Sequence, residues 1–130
     1  MARRSGMSAT HTWELPADAT APGQARWHLR QLLSGTEEAI DAELVVTELI
    51  TNAWRHGRGP IRLHADIRSD GLLLRVCSAS DDEPTVRVDS DSGADDSGGR
   101  GLLLIEELTT AWGFEREGEQ LCVWAQIPVT

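Results

Sequence analysis

Lysine is missing from this chain, and all 12 of its basic residues are arginine. That absence removes whole chemistries. A P-loop needs a lysine to reach the phosphates of its nucleotide, and Schiff-base catalysis needs a lysine amine, so neither is available. Any phosphate bound here must rest on backbone amides, arginine or a metal ion. Cysteine is nearly absent too. Cys77 and Cys122 stand far apart in stretches that read as strands; they read as two reduced, buried thiols, and sequence does not say whether their strands are neighbours. Four scattered histidines (His11, His28, His56 and His64) add no zinc-ligand spacing, so no structural metal is expected. Positive charge is scarce as well: 21 acidic residues against 12 basic ones leave a net charge of -9. This balance argues against a direct nucleic-acid footprint and for a soluble acidic protein with a basic or neutral partner. Met1 to Ser8 has no apolar stretch behind its arginines and reads as neither signal peptide nor membrane anchor, so a cytoplasmic location is expected.

At 130 residues and 40% hydrophobic content the chain can build one core. The expected organisation is a flexible segment over 1–10 and a single domain over 11–130. Thr12 to Leu15 reads as a short strand. Pro22 then fits the first turn of a helix running to about Leu33, stopped by Ser34 and Gly35. A second helix starts near Thr36, with a break expected near Asp41, and runs to His56, with Gly57 as its C-terminal stop and Gly59 and Pro60 turning the chain. Ile61 to Ile67 alternates as a half-exposed strand. Asp70 and Gly71 give the strongest hairpin signal, joining it to a strand over Leu72 to Ser78. Trp112 to Glu117 and Leu121 to Ile127 read as a second hairpin about Gly118. The pattern is that of an α+β domain with a sheet of four or five strands.

Glu48 is a lone carboxylate in the apolar run Leu44, Val45, Val46, Leu49, Ile50, Ala53, Trp54. Such a run at helical spacing predicts a helix buried nearly all round, where an unpaired charge is costly or is neutralised by a raised pKa. Asn52 and His56 follow at steps of four and stack along the same side of the helix. One surface would thus present a carboxylate, an amide and an imidazole. The plainer reading pairs Glu48 with Arg55 or Arg58 and makes His56 a helix-end histidine favoured by the dipole.

From Ser80 to Ser97 the chain is rich in Asp, Ser and Gly, lacks periodicity and is long for a connection inside a small domain, which reads as a lid over about 80–97. It ends at Gly98, Gly99, Arg100 and Gly101, before a helix over Leu102 to Leu108. Glycines opening a helix let an anion approach exposed amides at the positive end of the dipole, although such a cluster is often a plain turn. Trp27, His28 and Arg30 on the first helix are candidates for a partner or dimer surface, against the plain alternative of scattered exposed side chains.

Taken together, "ELVVTELITNAWRHG", a strand ending near "VCSAS", an acidic loop, "GGRGLLLIEEL", "WGF" and "VWAQIP" resemble the GHKL ATPase superfamily, and within it the actinobacterial anti-sigma-factor serine kinases and related regulatory ATP-binding proteins. The resemblance runs from "TWELPAD" to the end. It implies the Bergerat fold, a two-layer sandwich with a mixed, mostly antiparallel sheet and helices on one face. It implies ATP and Mg2+ as cofactors, Asn52 as the metal ligand, and Glu48 as the general base that takes a proton from a serine hydroxyl on a protein substrate. His56, Ser78, Gly99, Arg100, Gly101 and Leu102 would complete the nucleotide site. It implies as partners a sigma factor and an anti-anti-sigma antagonist protein, and it admits a homodimer. Two positions depart from the family. Ser78 stands where the family has an aspartate that accepts from the adenine amino group, and Gln120 and Leu121 stand where a glycine and a lysine are usual. These departures support an alternative, a degenerate kinase-like binding module that recognises a protein partner with weak or no ATP binding. An ATPase unit of a two-component histidine kinase is disfavoured, because one domain uses up the chain and leaves no phospho-acceptor helix pair.

Overall fold

Strands that alternate in hydrophobicity bury most by pairing so that their apolar sides share one face. The computed structural model describes residues 9–33, 38–81 and 97–128, and shows this arrangement in five strands and three helices among them. In chain order they are β1 (Ala9–Leu15), α1 (Ala21–Leu32), α2 (Glu38–His56), β2 (Gly57–Arg68), β3 (Gly71–Ser80), α3 (Ser97–Leu108), β4 (Ala111–Glu117) and β5 (Gln120–Pro128). The sheet runs β1-β2-β3-β5-β4, with every pairing antiparallel. Register brings Leu15, Ile61, Leu63, Ala65, Leu72, Leu74, Val76, Ala125 and Ile127 onto one face, all of them buried. Ala25 and Leu29 of α1, Val45, Val46, Leu49 and Ile50 of α2, and Ile105 of α3 join the same core. The expected α+β sandwich with helices on one face is therefore the fold of this chain. Residues 1–8, Ser34 and Gly35, and 82–96 of the expected lid lie outside the described residues.

Several local expectations need correction. β1 begins at Ala9, inside the segment read as flexible, because His11 and Trp13 find partners in β2 and α1: Trp13 stacks on His28 with ring centroids 4.9 Å apart. No break occurs at Asp41. Ala42, Val45, Val46 and Leu49 carry the buried stripe of α2 straight past it. Gly59 and Pro60 form no turn. They lie within β2, where the register against β3 shifts between Arg58 and Arg62, and Gly59 takes the left-handed φ of 76° that this irregularity demands. In the first hairpin the connecting residues are Ser69 and Asp70, while Gly71 already pairs with Arg68; neither connecting residue has a positive φ. The second hairpin follows its sequence signal, with Gly118 at φ 63° and Glu117 paired with Gln120.

α2 ends at His56, immediately before Gly57 as expected, but not through a left-handed glycine. The φ of Gly57 is not positive, and the chain passes from α2 directly into β2. What demands glycine is proximity: a Cβ at Gly57 would lie 2.6 Å from the Ala53 carbonyl oxygen, 2.7 Å from Ser78 Oγ and 2.9 Å from the Ala79 carbonyl oxygen. Two of these are backbone atoms and cannot swing aside. Gly57→Ala should therefore cost roughly 1–3 kcal/mol of overpacking. At Gly59 a Cβ meets nothing within 4 Å, so Gly59→Ala should cost only the left-handed backbone penalty of roughly 1–2 kcal/mol. Denaturant unfolding of both variants checks the assignment, and only the first should also disturb the chain around Ser78.

The two cysteines are not separate reduced thiols. Cys77 and Cys122 occupy directly opposed positions of β3 and β5 on the sheet face away from the helices, and they are joined as a disulfide across a sequence separation of 45 residues. The pairing depends on a β3–β5 register set by contacts distant in sequence.

Candidate functional site

The side of α2 that carries Glu48 and Asn52 follows from helical geometry. Four residues advance about 6 Å along the axis and return to nearly the same side. Both side chains are half-buried, and His56 is exposed at the helix end. The helix is not buried all round, as its sequence suggested: Ile40 is 67% exposed and Leu44 44% exposed, because α1, α3 and the sheet leave one side of it open. Glu48 is thus only partly removed from water. Burial still pushes its carboxyl above the ordinary value, opposed by the positive charge of Arg55 on the same helix. Among the described residues Glu48 makes no hydrogen bond or ion pair. Arg58, the other partner considered for it, faces Asp81 at 3.5 Å and Glu119 at 4.0 Å instead.

Ser78 is buried to 4% exposure on the helix-facing side of β3, opposite Leu121 of β5 and beneath Gly57. Gly57 directly follows the last residue of α2, so its close approach to Ser78 sets Ser78 beside the C-terminal end of the helix that carries Asn52. Its hydroxyl has no hydrogen-bond partner among the described residues, which in a buried polar group calls for an explanation. Asp81 does not supply the missing carboxylate: it is exposed and turned towards Arg58. Asp82 lies outside the described residues.

The neighbouring Ser80 belongs to a clasp that sequence reasoning did not find. Ser80 Oγ donates to the His56 carbonyl oxygen at 3.1 Å, Ser80 N–H donates to the Glu119 carbonyl oxygen at 3.0 Å, and Arg116 donates to the Ser80 carbonyl oxygen at 2.6 Å. It ties the end of β3 to the end of α2 and to the β4–β5 turn. Only the register of Arg116 opposite Leu121 could have hinted at it.

The glycine cluster also differs from expectation. Helix α3 starts at Ser97, so Gly98, Gly99 and Gly101 lie within its first turns rather than before them. Each glycine inside a helix costs about 1 kcal/mol relative to alanine, which makes this a weak helix start. α3 packs against α2 and anchors Ile105 in the core. The side chains of 97–102, including Arg100 and Leu102, lie outside the described residues.

A cavity of about 240 Å³ opens beside the β2–β3 turn, lined by Arg68, Asp70, Thr110 and Gln126 among others. It is at the opposite end of β3 from Ser78, roughly 23 Å away by strand rise, and holds none of the candidate residues. Of the candidate partner surface on α1, Trp27 is 57% exposed, while Arg30 is held by Glu43 at 2.7 Å and keeps that carboxyl below its ordinary value. No helix among the described residues is long and apolar enough to cross a membrane.

Residues 15–127 match the family described as the histidine kinase-like ATPase domain. The chain belongs to this family. Among solved structures, the RsbU and RsbW domains of Rv1364c from Mycobacterium tuberculosis share the fold with a TM-score of 0.70 at 16% identity, over 93% of this chain and 32% of that one. The present chain thus spans about a third of that structure. The histidine kinase domain of the blue-light activated kinase EL346 from Erythrobacter litoralis gives a TM-score of 0.52 at 20% identity, covering 88% of this chain and 61% of that one. The histidine kinase AdeS of Acinetobacter baumannii gives 0.52 at 16% identity, over 92% and 68%. No curated protein matches at a significant level. As a histidine kinase-like ATPase domain, the chain has its candidate polar groups at the end of α2 and the adjoining end of β3.

Proposed function

We propose that this domain is an ATP-binding, anti-sigma-factor-like regulator with serine kinase activity towards an antagonist protein in a partner-switching pathway. The observation that carries the reading is the set of groups that make no hydrogen bond among the described residues: the Glu48 carboxylate, the Asn52 amide and the buried Ser78 hydroxyl, on α2 and the strand beneath it. Membership of the family supports ATP with Mg2+, and the RsbW domain in the Rv1364c structure supports the regulatory kinase class.

The donor set fits such a nucleotide. No group of three His, Cys, Asp or Glu among the described residues could hold a metal ion unaided, so a magnesium ion here would depend on phosphate oxygens plus a neutral donor, the Asn52 side-chain oxygen. Bound ATP supplies the transferable phosphoryl group. Glu48, raised by burial, would accept the proton of the attacking serine hydroxyl. Ser78 Oγ would accept from the adenine amino group. Gly99 and Gly101 would let the backbone of 99–102 approach the phosphates, with Arg100 and Leu102 as the other candidates on that segment and His56 at the end of α2. A sigma factor and an anti-anti-sigma antagonist are the partners of this reading, and a homodimer accords with it.

One observation favours a second reading, a binding module with feeble nucleotide affinity. Ser78 and Leu121 are both buried and neither offers a charge to the base. A neutral acceptor is weaker than a charge-assisted one by about 1 kcal/mol or more, close to tenfold in affinity. Titration with a fluorescent ATP analogue, with and without magnesium, separates the two. Wild-type protein should bind in the micromolar range and require magnesium, and Ser78→Asp should bind roughly tenfold more tightly. Binding by the substituted protein alone would leave the module reading standing.

A further inference from the structure

The chain's two cysteines face each other across central strands, immediately behind the position proposed for the base. Cys77 opposes Cys122, and the next residues on the same strands, Ser78 and Leu121, oppose each other on the helix side. The bond and the base position are thus consecutive rungs of one ladder, pointing to opposite faces. In the row of the disulfide stand Arg62 and Glu115, and Arg75 approaches Glu115 at 3.7 Å. The cysteines retain 6% and 7% exposure on a face that no described helix covers.

We propose that Cys77 and Cys122 form a reversible thiol–disulfide site whose state sets nucleotide affinity through the adjoining Ser78–Leu121 pair; the second half rests on the nucleotide reading given above. In reduction, a thiolate of a dithiol reductant attacks one cysteine sulfur, forms a mixed disulfide and releases the other cysteine as a thiolate. The reductant's second thiolate then displaces the first cysteine, so two electrons and two protons enter the protein and the reductant leaves as its own disulfide. In oxidation by a peroxide, one cysteine thiolate takes an oxygen to become a sulfenic acid, releasing water or alcohol. The second thiolate displaces hydroxide to close the bond. Two free thiols must stand at van der Waals separation where a covalent bond held them together. The Cα atoms stand only 4.0 Å apart at that rung, and in the proposed switch β3 and β5 ease apart there and carry Ser78 and Leu121 with them. The oxidised state keeps the base position closed and binds nucleotide more tightly.

The test uses the whole chain, oxidised and reduced, followed by alkylation with mass spectrometry, circular dichroism and titration with the fluorescent ATP analogue in magnesium. Dithiothreitol should open the bond without loss of secondary structure, stoichiometric hydrogen peroxide should re-form it within one chain, and reduction should weaken binding at least about fivefold. Cys122→Ala should match the reduced protein and ignore peroxide. Failure to re-form the bond, or unfolding on reduction, would overturn the switch. Equal affinity in both states would overturn the coupling and leave the nucleotide reading intact, whereas absence of binding in both states would overturn that reading and the coupling with it.

Discussion

Glu48→Gln should lower phosphate transfer to an antagonist serine by about 10²–10⁴-fold while leaving ATP affinity nearly unchanged. The substitution keeps shape and removes the proton acceptor. It should also stabilise the fold at neutral pH. The carboxyl is raised above its ordinary 4.5, first by burial, with Arg55 opposing. A raised carboxyl favours the folded state fully below its unfolded value and loses that contribution as pH rises through the folded value. Glu48→Gln, permanently neutral, should therefore melt higher than wild type at about pH 7.5, and the gap should close towards about pH 4. Single-turnover transfer and paired melting curves check both halves. Lost ATP binding together with lost transfer would make Glu48 a structural residue.

Cys77→Ser combined with Cys122→Ser should lower the melting midpoint by on the order of 10 °C. The bond closes a loop across 45 residues that contains the glycine cluster, α3 and β4. In the chain-entropy account, a link over such a loop removes freedom from the unfolded chain worth about 4 kcal/mol. For a domain of this size each kcal/mol shifts the midpoint by roughly 3–4 °C. Differential scanning calorimetry of oxidised wild type and the double variant measures the difference. An unchanged midpoint would mean that the cross-link does not constrain the unfolded chain.

What could be read from sequence was local. Pro22 announced the first turn of α1, Gly118 the second hairpin, and Val45, Val46, Leu49 and Ile50 of the apolar run the buried side of α2. That Glu48 and Asn52 share one side of α2 was legible for the same reason, because helical spacing alone puts them there. Features that depend on distant segments were not legible. The role of Gly57 arises from Ser78 and Ala79, more than twenty residues away; the disulfide needs the β3–β5 register; the clasp at Ser80 needs Arg116. The exposure of Ile40 and Leu44 likewise reflects where three helices sit on the sheet, which no single stretch encodes.

Asn52, one turn after Glu48 on α2, is the residue proposed to hold magnesium-bound ATP. Isothermal titration calorimetry of wild type and Asn52→Ala with ATP, in magnesium and in chelator, tests it directly. Wild type should bind in the micromolar range only with magnesium, and Asn52→Ala should lose that binding with the fold intact. Equal binding by the two proteins, or binding indifferent to magnesium, would contradict it.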